Sequence, residues 1–134
     1  MPDETLARIE QDIAALEAAA RAADGLEAAA LEEVLEPAIA LVARTLRARL
    51  AAEGKPGPAE DADVLEVWRA LVKGDPTWNA IRDNCRELVF YRNCLAQGRT
   101  DALPPAPHRM AVRTVRHIFL YVRSRAQGDT RTSR

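Results

Sequence analysis

Apolar residues recur at spacings of three and four along most of the chain. Leu6, Ile9, Ile13, Leu16 and Ala20 form one such stripe, which predicts a first helix from about Asp3 to Ala23. Asp3 offers a capping oxygen at its start, and Asp24-Gly25 is a stop signal. Leu31, Val34, Leu35, Ile39, Val42, Leu46 and Leu50 predict a second helix from Leu26 to Ala52. Pro37 falls inside it. Proline removes a backbone donor and crowds the preceding turn, so a kink or break is expected near Glu36. Val64, Leu65, Trp68, Leu71 and Val72 mark a third helix over Asp61 to Lys73, closed by Gly74. Asp75 as N-cap and Pro76 at the first helical position open a fourth. It carries Trp78, Ile81, Cys85, Leu88 and Leu95 on one face, and Gly98 closes it after Gln97. Val112, Val115, Phe119 and Val122 give the buried stripe of a last helix from Pro107 to Arg125.

Between these elements, Gly54-Lys55-Pro56-Gly57-Pro58 cannot continue a helix and reads as a long inter-helix loop. Pro104, Pro105 and Pro107 make residues 99–107 a stiff connector. The expectation is an all-α fold, a four- to five-helix up-and-down bundle with Trp68, Trp78, Leu88, Val115 and Phe119 in its core. Residues 1–125 form a single domain, and the polar stretch 126–134 is expected to be a disordered tail. At 134 residues the chain can bury a real core without staples.

Charge changes the picture. The net charge is −1, but residues 1–66 carry about −9 and residues 67–134 about +8. Two readings follow: acidic and basic helices pack together, or the basic half offers a face to phosphate-bearing partners. Cys85 and Cys94 are nine positions apart on one helix and so point in opposite directions. They cannot pair with each other and read as structural thiols of a reducing compartment. No CxxC, histidine cluster, phosphate-cradling loop or nucleophile elbow is present, so neither a metal nor a cofactor is expected and no catalytic residue is assigned. The start lacks the pattern of a signal peptide, and apolar runs are too short to span a membrane, which makes the cytoplasm the default.

Arginines are the more suggestive residues. Arg109, Arg113, Arg116 and Arg123 follow spacings of four, three and seven along the last helix. Arg82 and Arg86 lie one turn apart on the fourth, and Arg92 and Arg99 bracket its end. Guanidinium groups match phosphate oxygens through paired donors, yet no aromatic stacking platform accompanies them.

The segment Tyr91-Arg92-Asn93-Cys94-Leu95-Ala96-Gln97-Gly98-Arg99 resembles the signature of HEPN (higher eukaryotes and prokaryotes nucleotide-binding) domains. In that family a helix ends in an Arg-polar-x-x-x-His motif, often followed by glycine and then a loop to a final helix. Arg92, Asn93, Leu95 and Gly98 match the R-N-x-L-x-H-G flavour. The resemblance implies a dimer cleft in which arginine and histidine of two protomers cleave RNA without metal. Here Gln97 occupies the histidine position, and an amide cannot shuttle a proton. A non-cleaving member is therefore expected.

The leading expectation is a non-catalytic helical interaction module, of degenerate HEPN-like type, that binds RNA or a protein partner or self-associates. Its candidate binding residues are Arg92, Asn93, Gln97, Arg99, Arg109, Arg113 and Arg116. One alternative is an adaptor bundle without a nucleic-acid role. Another is a metal-independent RNase using His108 or His117 as base.

Overall fold

A computed structural model describes residues 2–25 and 27–132, and the side chains of residues 5–25 and 29–128 among them. Five α-helices are present and no strand occurs among the described residues: α1 (Pro2–Ala22), α2 (Glu27–Ala52), α3 (Val64–Val72), α4 (Arg82–Ala96) and α5 (Pro107–Thr132). The fold is an all-α helical bundle, as the periodicity predicts. Short 3₁₀ turns at Pro76–Ile81 and Thr100–Ala102 lead into and out of the α4 end of the bundle.

Helix α2 is the central element and touches each of the other four helices. Its inward face is broad and apolar: Leu31, Val34, Leu35, Leu41, Val42, Leu46 and Leu50 are all buried. Trp78, Leu88, Val115 and Phe119 are buried against them, with Trp68 at the edge of the core. Each side chain of this kind contributes roughly 1.5–3 kcal/mol when fully removed from water.

Four boundaries differ from the sequence expectation, the first being the start of α3, which lies at Val64 after Asp63 in the N-cap position rather than at Asp61. Helix α2 runs through Pro37 without a break. Pro37 lies on the exposed face with Glu33 and Glu36, so the Glu33 carbonyl left without a donor is on the solvent side, where losing that bond costs least. The first turn expected of the fourth helix is a 3₁₀ turn instead; Asp75 still caps it, its carboxylate accepting from the Thr77 amide at 3.2 Å. The Trp68 indole donates to the Trp78 carbonyl at 2.9 Å, and the Tyr121 hydroxyl donates to the Thr77 carbonyl at 3.1 Å. These two tethers set that turn by tertiary contacts rather than by local propensity. Helix α5 extends to Thr132, past the Arg125 end read from the sequence, because Gly128 alone does not stop a helix. The capping role read for Asp3 lies outside the described side chains, as do residues 133–134.

Candidate interaction surface

Most candidate arginines hold the bundle together. On α5, Arg109, Arg116 and Arg123 are spaced by seven; on α1 and just beyond it, Glu10, Glu17 and Asp24 are also spaced by seven. The two rows meet in opposite directions. Arg109 makes two hydrogen bonds to Asp24, Arg116 donates to Glu17 at 2.7 and 3.1 Å, and Arg123 reaches Glu10 at 3.1 Å. Arg116 also reaches Glu10, at 3.0 Å. The ladder fixes α1 antiparallel to α5. Its arginines hold the Asp24 and Glu17 carboxyls below the usual carboxylate range. Arg113, off this row, is exposed and makes no ion pair among the described residues. Three carboxylates of the acidic half are thus paired with three arginines of the basic half along this seam.

The corner that resembles the HEPN signature is also engaged. Arg92 grips Asp63 with two parallel bonds of 2.8 and 3.0 Å, which lowers the Asp63 pKa. Arg99 grips Asp101 in the same manner, at 3.1 Å on both arms. Asn93 and Gln97 are exposed. Gly98 adopts φ +66° and closes α4 in a Schellman motif, with the Arg99 amide donating to the Cys94 carbonyl at 2.8 Å. Gly98 is therefore required by the helix stop itself. Of the seven candidates, Arg109 and Arg116 share the α1 seam, Arg92 turns toward Asp63, and Arg99 pairs within its own loop. They do not converge on one pocket.

Groups able to do chemistry are enclosed or isolated. His108 is 1% exposed; its Nε2 lies 2.8 Å from Asp24, and its Nδ1 has no partner. His117 is exposed on α5. Both cysteines are buried and unpaired, and burial pushes the Cys85 thiol up to about 12. No cluster of His, Cys, Asp or Glu among the described residues has the makings of a metal site. No helix among them is long and apolar enough to cross a membrane.

A different patch stands open. A groove of about 540 Å³ lies between α3, the Pro76–Ile81 turn and α4, lined by Leu65, Trp68, Arg69, Asn79, Arg82 and Arg86. Its three arginines are exposed and make no ion pair or side-chain hydrogen bond among the described residues. One turn beyond Arg86, Phe90 is 48% exposed, the most exposed large apolar side chain described. Arg82, Arg86, Phe90, Asn93 and Gln97 are all exposed and form one outward stripe of α4 by their helical spacing. The Arg82–Arg86 pair is visible in the sequence; the Arg69 and Trp68 wall opposite it requires the tertiary fold. In comparisons with known proteins, no family model, no curated protein and no solved structure matches this chain.

Proposed function

We propose that this protein is a non-catalytic helical interaction module that recognises a protein partner through the outer face of α3 and α4. The observation that carries this reading is the contrast between two populations of arginine. Arg92, Arg99, Arg109, Arg116, Arg123 and Arg125 each hold a carboxylate of the same chain, whereas Arg69, Arg82 and Arg86 hold none among the described residues, and Phe90 is exposed one turn beyond Arg86. Uncompensated guanidinium groups beside exposed aromatic surface are the composition of an interface centre. The enclosure of His108, Cys85 and Cys94 supports binding rather than turnover. The HEPN resemblance enters only through Asn93 and Gln97, which share the outward stripe of α4; a phosphate at Arg92 would have to displace Asp63.

Incubation of the purified chain with labelled RNA, beside a His117→Ala variant, tests the non-catalytic part. Intact RNA in both reactions is expected. Cleavage that disappears in His117→Ala would overturn the reading in favour of a ribonuclease.

A further inference from the structure

We infer that the groove between α3 and α4 docks an acidic segment of a protein partner, its carboxylates held by Arg69, Arg82 and Arg86 and an apolar side chain packed on Phe90. This deepens the interaction-module reading and rests on it. Arg82 and Arg86 sit one helical turn apart on one wall, and Arg69 stands on the other. Each guanidinium can take a carboxylate through two parallel bonds, as Arg92 and Arg99 do within the chain. Leu65 and Trp68 make the α3 wall beside Arg69 partly apolar, so a bound carboxylate is partly shielded from water and its pairing strengthened. Phe90 extends the site with apolar surface and no charge.

The basic patch is short and bounded by carboxylates. Asp83 and Glu66 are exposed on α4 and α3 beside it, and Asp63 occupies Arg92 toward the far end of α4, with Glu36 acting on the same arginine. A phosphate backbone that tracked beyond the groove would meet those acids. Three arginines also fall below the roughly six to ten phosphate contacts of a typical nucleic-acid site. Discrete carboxylates with an apolar neighbour match this spacing; a continuous polyanion does not.

Fluorescence anisotropy on the full chain tests the assignment. The probes are a short labelled peptide with Glu and Leu on opposite helical faces, the same peptide with Gln for Glu, and a labelled oligouridylate. The Glu peptide is expected to bind, with affinity lowered about tenfold or more by Arg82→Gln/Arg86→Gln and several-fold by Phe90→Ala. These positions are exposed, so the far-UV circular dichroism of the variants should match the parent. Absence of binding, equal affinity for the Glu and Gln peptides, or indifference to the double substitution would overturn the proposal. Oligouridylate binding lost in the same double variant, with the peptide inert, would overturn it in favour of nucleic acid. Sedimentation that reveals a dimer dissolved by Arg82→Gln/Arg86→Gln would overturn it in favour of self-association. Each of these outcomes can occur with RNA left intact, so the groove assignment and the non-catalytic reading fail separately.

Discussion

The ladder between α1 and α5 makes a quantitative claim that a double-mutant cycle can check. Arg116 and Glu17 are the central rung, with side chains 24% and 26% exposed. Truncating Arg116 removes two bonds to Glu17 and one to Glu10, leaving Glu17 without its arginine and Glu10 with Arg123 alone. A charge-assisted hydrogen bond contributes about 1.5–3 kcal/mol when well formed, and exposed ion pairs contribute at most about 1 kcal/mol. For this half-buried rung, Arg116→Ala should cost about 2 kcal/mol. Glu17→Ala should cost about 1 kcal/mol, because Arg116 keeps Glu10. Arg116 also lies over the Phe119 ring at 6.0 Å, a contact worth about 0.5 kcal/mol. That term is lost in both Arg116→Ala corners and cancels from the cycle, leaving a coupling energy of about 1 kcal/mol. Urea unfolding followed at 222 nm in low salt measures all four proteins, with m unchanged. Arg113→Ala is the control, expected within about 0.5 kcal/mol of the parent because it is exposed and off the row. A coupling below about 0.3 kcal/mol would mean that the rung is not held in solution, and the account of how α1 is fixed to α5 would fail.

Three further outcomes follow from the same structure. Pro37→Ala should raise the unfolding free energy in urea by about 2 kcal/mol, since a helix-interior proline costs about 3 kcal/mol and its stiffening of the unfolded chain returns only about 0.4–1 kcal/mol; a loss of stability would show that Pro37 itself contributes to the packing of α2. Glu17, Asp63 and Asp75 are held below their ordinary pKa values by Arg116, by Arg92 and by Thr77 with Arg125, so the unfolded chain binds their protons more tightly than the folded one. Their contribution should be complete above about pH 5 and decline as pH falls below about 4, and a midpoint unchanged over that range would contradict the pairing. With its thiol pushed up to about 12 by burial, Cys85 should ignore a thiol-disulfide reagent at mildly alkaline pH until the chain is unfolded; immediate modification of the native protein would contradict its burial.

Helix existence and the core were legible because a 3.6-residue period reports which face is buried, whatever it is buried against. Trp78, Leu88, Val115 and Phe119 follow from that rule alone. Local chemistry was less decisive at the boundaries. Pro37 predicts a break only if its freed carbonyl cannot reach water, and on the outer face of α2 it can. The 3₁₀ turn at Pro76–Ile81 depends on Trp68 and Tyr121, which no local window contains. For the arginines, spacing gave a face but not a partner. The row Arg109, Arg116, Arg123 became interpretable only beside Glu10, Glu17 and Asp24; the matching heptads in two distant segments were present in the sequence as a signal of antiparallel pairing. The groove carried no such signal beyond Arg82 and Arg86, because its opposite wall is contributed by α3 across a turn.

The α1–α5 ladder also governs how the molecule looks from afar. Each rung places opposite charges a few ångströms apart, well inside the Debye length of about 8–10 Å in ordinary buffers. Their fields cancel before reaching an approaching body, despite the wide separation of acid and base along the chain. The ladder therefore adds nothing to long-range steering, and whatever attraction an acidic partner feels comes from Arg69, Arg82 and Arg86 of the groove and should weaken with added salt. The charge a partner senses from a distance is thus that of one small face, not that of the acidic or basic half of the chain.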